Sequence, residues 1–229
     1  MIEKDIKKNV LKDWGIQFPS LTPCLSNSLL KVLSVCIIGI EIMKVPRSNE
    51  YRPLFVCYPL WKDDEKTIFS ESFILQEIED RKGLQFDIPY LKHNIFFEEA
   101  VICAKKQILI PLEGDVSFTS FINMIDNQLT NDLLTKASPL VQADLYQLKL
   151  YTGLYLNNRI VVNQVLSEIK KAMINWKPNL FEWKYGKIEI WYQNLEEAID
   201  NQDLFISKII QSKRLKNIAK LQHSEIIEL

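Results

Sequence analysis

The stretch LLKVLSVCIIGIEIMKVPRSNEYRPLFVCYPL, Leu29 to Leu60, decides the fold. Within it Cys36, Ile38, Ile40 and Ile42 alternate with Gly39 and Glu41, a period of two that marks a strand with different faces. The pattern predicts one long strand over Val32 to Val45. Pro46 to Arg52, with Ser48 and Asn49, has the residues of a turn, and Leu54 to Leu60 reads as a second strand, antiparallel to the first. The run from Leu29 to Val45 is also the best candidate for a membrane span. Lys31, Glu41 and Lys44 interrupt it, and its clean part is far shorter than the roughly 20 apolar residues a spanning helix needs.

Outward from this pair the pattern is mixed, then helical. Ile2, Ile6, Val10, Leu11 and Trp14 recur at helical spacing ahead of Gly15, which reads as a C-terminal stop. Lys62 to Lys66 is a polar turn, and Thr67 to Arg81 fits either helix or strand. Asn94 reads as the cap of a helix over Ile95 to Lys105, and Gln107 to Leu112 as a short strand. From Asp115 the period is close to 3.6, with Phe118, Phe121, Ile122, Ile125 and Leu129 on one stripe. Ser138-Pro139 opens a helix through Tyr155, and Asn157-Asn158 turns the chain into another over Ile160 to Trp176. That hairpin resembles a tetratricopeptide unit in Tyr151-Thr152-Gly153, but as one partial copy without neighbours at the repeat spacing. An aromatic linker, a helix from Ile188 and a last helix from about Asp203 follow. The expected fold class is α+β, with a small, mostly antiparallel sheet and helices in residues 1–135 and a helical half in residues 136–229 packed against it.

The chain has 229 residues with a formal net charge of −1, so no global field draws it toward nucleic acid or an anionic surface. Its six glycines are all more than twenty residues apart. Loops that cradle phosphate need two such residues close together, so Walker A, Rossmann and kinase glycine loops are excluded. With His93 and His223 as the only histidines, an H-E-x-x-H zinc site cannot be written. His93 is expected on a turn, and His223 in a C-terminal segment where ordering is least assured. Cys24, Cys36, Cys57 and Cys103 form no C-x-x-C pair, and are expected as packed thiols. The N-terminus lacks a leader-like apolar block, which points to a cytoplasmic protein.

Four features could carry function. Trp61 to Asp80 holds seven acids against two lysines, flanked by Tyr58 and Trp61. Such a surface suits a basic protein partner, as in nuclease inhibitors that mimic phosphates. Tyr58, Trp61, Asp63, Asp64 and Glu65 are the residues expected to bind. Lys208, Lys213, Arg214, Lys216 and Lys220 make a basic C-terminal face with no interleaved aromatic for base stacking, so nucleic acid is a weaker expectation. Glu182-Trp183-Lys184 has the E-x-K spacing of metal-dependent nucleases, although the nearest upstream aspartate, Asp144, falls on another helix. Aromatics gather at Trp176, Phe181, Trp183, Tyr185, Trp191 and Tyr192, as an interface or as the seam between sheet and helices.

The expectation from these features is a non-catalytic bacterial interaction protein of the immunity or inhibitor kind, without cofactor or metal. The alternatives are a metal-dependent hydrolase or nuclease built from scattered carboxylates, and a helical adaptor using the basic C-terminal face.

Overall fold

The apolar run that opens the sheet is two strands and not one. The computed structural model describes residues 2–131 and 133–228. In it, β1 (Thr22–Cys24) and β2 (Ser28–Leu33) precede β3 (Cys36–Lys44) and β4 (Glu50–Pro59). Leu33 pairs with Cys36, so Ser34 and Val35 alone form the β2–β3 turn. Ser34 takes a φ of 46°, a left-handed backbone usually given to Gly or Asn. The expected single strand fails here because Ser-Val is not a local turn signal. The turn is held from outside: Ile226 N–H donates to Ser34 Oγ (2.8 Å), and that hydroxyl donates to Glu225 Oε2 (2.7 Å).

The predicted antiparallel neighbour is present, as β3 pairs with β4 from Cys36↔Pro59 to Lys44↔Tyr51. The strand order is β1-β2-β3-β4-β5, with β5 at Phe73–Glu77, while β6 (Ile88–Pro89) pairs with the far end of β4. Leu29 to Ile40, turn included, is buried throughout, because both faces of the sheet are covered. At Gly39 the backbones approach so closely that a Cβ would lie 2.0 Å from the Leu29 carbonyl oxygen.

Helices α1 (Ile2–Gln17), α2 (Glu65–Ser70) and α3 (His93–Gln107) belong to this half. Gly15 lies inside α1 and does not stop it; Val10 and Trp14 are buried, while the side chain of Ile2 lies outside the described residues. The ambiguous stretch after Thr67 resolves into both readings, helix α2 and then strand β5. Asn94 does not cap α3, which starts one residue earlier behind a 3-10 turn over Tyr90–Lys92. Residues 107–112 form no strand. They carry carbonyls that a buried lysine needs: Lys31 Nζ donates to Leu112 O (2.9 Å) and, just beyond them, to Gly114 O (3.2 Å). Its burial pushes its pKa down, against the pull of Asp115 and Glu113.

The remainder is helical, as expected: α4 (Phe118–Asn131) after the short β7 (Val116–Ser117), α5 (Leu133–Ala137), α6 (Pro139–Tyr155), α7 (Arg159–Met173), α8 (Pro178–Tyr185), α9 (Ile188–Asp200) and α10 (Gln202–Lys213). Ser138 caps α6 through its side chain, as its sequence position implies, and Asn158, read in sequence as part of a turn, caps α7 in the same way. The aromatic linker is itself helix α8, closed by Gly186 at a φ of 70°. After α10 the chain returns to the sheet. β8 (Gln222–Ser224) pairs in parallel with β2, and β9 (Ile226–Ile227) with β7. His223 is thus an ordered strand residue, exposed at the surface. One hydrophobic core runs from Val10 to Ile226. Among the described residues no helix is long and apolar enough to cross a membrane.

Because Ser34 both accepts from Ile226 and donates to Glu225, Ser34→Ala should cost about 1–3 kcal/mol, the cost of leaving a buried donor without its acceptor. Urea unfolding followed by circular dichroism would measure it, with a matching loss of amide protection at Ser224 to Ile226.

Candidate functional site

The acidic stretch is largely spent on holding the chain together. Asp63, itself highly exposed, takes an ion pair from Lys208 Nζ on α10 (2.6 Å). Asp64 caps α2, accepting from Thr67 N (2.8 Å), and that bond holds its carboxyl below the usual range. Glu65 accepts from the backbone N–H of Asn217 (3.2 Å) and from that residue's side-chain amide. Tyr58 and Trp61 are buried. Tyr58 donates to Glu41 Oε2 (2.9 Å), and burial together with the negative charge of Glu41 pushes the phenol pKa up. Trp61 meets Tyr151 of α6 edge to face at 5.1 Å. The two aromatics are turned inward, while Asp63 and Asp64 stay exposed.

The second candidate behaves differently from its sequence reading. Glu182 and Lys184 lie on α8, where residues two apart point about 200° from one another, so they cannot share a face as they would on a strand. Lys184 does find Asp144, across the α6–α8 contact: Nζ lies 3.0 Å from Oδ2. Tyr185 Oη donates to the same carboxylate. Burial raises the Asp144 pKa, while Lys184 and Tyr185 oppose the shift. Glu182 stays exposed and apart from this pair. Among the described residues no group of three or more His, Cys, Asp or Glu side chains could hold a metal ion.

His93 is not on a turn. It is the first residue of α3, between Tyr51, whose Oη lies 2.7 Å from Nδ1, and Asp13, whose Oδ2 faces Nε2 at 3.3 Å, off the line of a good hydrogen bond. Tyr51 is fully buried, so this Asp-His-Tyr series has no approach for a substrate at its tyrosine end. Desolvation lowers the His93 pKa and Asp13 only partly offsets it. A further charged centre escaped sequence reading. Lys149 of α6, 2% exposed, donates to Asp126 Oδ1 (2.6 Å) and Glu168 Oε2 (2.9 Å). Burial works against its charge, yet the two carboxylates outweigh it and hold its pKa above the ordinary value. Lys149 occupies an apolar stripe position of α6, which is the signal that could have found it.

Of the cysteines, Cys36, Cys57 and Cys103 are buried and Cys24 is half-buried, all as free thiols. In the aromatic cluster Trp176, Phe181, Tyr185 and Trp191 pack on one another with centroids from 5.0 to 6.2 Å apart, while Trp183 is 74% exposed. The outward face of α3 carries apolar residues among polar ones. Leu91, just before it, is 74% exposed, and Ile95 and Ile102 are 65% and 51% exposed on the same side, with Glu98 between them.

Two outcomes follow from the buried charges. Asp126→Asn with Glu168→Gln, which leaves Lys149 buried and unpaired, should cost about 3–5 kcal/mol in urea unfolding, more than Lys149→Met, which frees two partly exposed carboxylates. For His93, the unfolded imidazole binds a proton near pH 6.5 while the folded one needs a lower pH. The unfolded state therefore holds more protons in that interval, and stability falls as the pH drops below 6.5. Denaturation midpoints measured from about pH 7 to about pH 5 should fall more steeply for wild type than for His93→Gln. Comparisons of the chain with protein-family models, curated proteins and solved structures return no match.

Proposed function

We propose that the chain is a non-catalytic interaction protein of the immunity or inhibitor kind, with a protein as its partner. The observation that carries this reading is the outward face of α3. Leu91, Ile95 and Ile102 keep more than half of their surface in water along one side of a helix whose other side supplies buried Ala100, Val101, Cys103 and Ala104. Single exposed apolar residues are ordinary; three on one side of the same segment, interrupted by Glu98, are the feature that would suit a protein contact. Geometry around the stripe is firm. Arg81 pairs with Glu99 at 3.2 Å, and the Gln107 side chain clamps the backbone of Glu79, so α3 is fixed to the segment after β5.

The expected partner surface is apolar at its centre. A basic rim would suit Glu98, which stands exposed within the stripe. For the hydrolase alternative, a site built from scattered carboxylates, the Glu182-Lys184 spacing gives no support, because residues two apart on α8 point to opposite sides.

Ile95→Glu with Ile102→Glu tests the reading. Both side chains are exposed, so stability should change by no more than about 0.5 kcal/mol per site. Using the wild-type chain as bait in lysate of the source cell, one stoichiometric protein partner is expected, with affinity by calorimetry at least roughly tenfold weaker for the double variant. Equal affinity for both chains would remove α3 from the interface. Capture of nothing at low or high salt would overturn the reading.

A further inference from the structure

Strand β5 closes one edge of the sheet, and among the described residues no further strand pairs with its outer side. A groove of about 500 Å³ runs along that edge, lined on one wall by the consecutive residues Ser72 to Glu77 and on the other by α4, α5 and α6 through Asn127, Gln128, Thr135 and Val141. Successive side chains of a strand point to opposite faces. Six consecutive residues therefore line one groove only when the edge of the strand, with its backbone N–H and C=O groups, forms the wall.

Side-chain amides already stand where a neighbouring strand would bond. Gln107 accepts from Glu79 N (2.9 Å) and donates to Glu79 O (2.7 Å), closing the edge at the end of the groove. Inside it, Gln76 Nε2 donates to Glu77 O (2.8 Å), while Gln128 Nε2 donates to Gln76 Oε1 (2.9 Å). Those two bonds are exchangeable for equivalent ones with an incoming backbone. Among the described residues the charged side chains that line the groove are Glu77 and Glu79, both acidic. Arg52, whose charge reaches Glu77, is engaged by Asp87 at 2.5 Å.

We propose that this groove takes an extended segment of a partner protein bearing lysine or arginine at alternate positions, added to the sheet as a strand beside Phe73–Glu77. Main-chain bonds to the β5 edge would supply the affinity, and Glu77 and Glu79 the preference for basic side chains. The edge available is about 16 Å long, enough for five residues of extended chain. That the occupant belongs to a protein rests on the interaction-protein reading above, and the inference names the chemistry of that partner.

The test uses the full chain and a fluorescein-labelled hexapeptide of alternating lysine and valine. Expected results are anisotropy binding, amide shifts in the nitrogen-15 spectrum centred on Ser72 to Glu77, and affinity roughly three- to tenfold weaker for Glu77→Gln with Glu79→Gln. The same peptide N-methylated at alternate amides should not bind, nor should a glutamate–valine counterpart. Equal binding of the methylated or the acidic peptide, or shifts confined to another surface, would overturn the proposal. So would sedimentation showing that the free chain dimerises and that Ile74→Lys restores the monomer, which would assign the edge to a second copy. The Ile95→Glu, Ile102→Glu chain separates the two readings. If it binds the hexapeptide as wild type does, the groove stands whatever becomes of α3. If the hexapeptide fails with both chains while α3-dependent capture persists, the groove assignment falls and the interaction-protein reading remains.

Discussion

The tie between the Ser34 turn and the last residues of the chain is the constraint on which the rest of the structure depends. Ser34 accepts from Ile226, its hydroxyl donates to Glu225, and Lys213 at the end of α10 holds the second oxygen of that carboxylate at 3.1 Å. The backbone adds a further bond, from Ser34 N to Ser224 O at 3.2 Å. A turn that local sequence would not specify is thus formed by residues almost two hundred positions away. With the turn in place, β2 sits inside the sheet, between β1 and β8 along one side and β3 on the other. From there Lys31 reaches the carbonyls of Leu112 and Gly114, and the loop that leads into the helices is anchored to the sheet.

Charge in this protein works mainly at the contacts between elements. Lys149 ties α6 to α4 and α7, Lys184 ties α8 to α6, and Lys208 ties α10 to the loop before α2. Each pairing removes a candidate from the pool of groups free for chemistry. Asp63, Asp64 and Glu65 are the clearest instance: as sequence they are an acidic patch, and as structure they are an ion pair, a helix cap and a clamp on Asn217. Further along the same acidic stretch, Glu77 and Glu79 face an open groove. The idea of a basic partner therefore moves about a dozen residues toward the C-terminus and from a loop to a strand edge.

How much was legible differs by element. The β3–β4 pairing, the stripe of α4, the cap Ser138, the turn at Asn157-Asn158 and the α6–α7 hairpin could be read directly, because period, cap and turn are local properties of the chain. The α+β class followed from them. The stretch from Phe181 to Tyr185 reads as a linker in sequence, since aromatics alternating with charges fit a strand arm as well as a helix of eight residues. Asn94 failed as a cap because a 3-10 turn already brings the chain into helical geometry before it.

By itself, then, the sequence determined the class of fold, the antiparallel pairing of β3 with β4 and the exclusion of glycine-loop phosphate sites, all of which depend on residues within a few positions of one another. Tertiary structure alone decided the Ser34 turn, the return of β8 to the sheet, the burial of Tyr58 and Trp61, and which acids stay available. These depend on partners distant in the chain, and whether a carboxylate is a surface charge or a structural tie is set by what the fold places beside it.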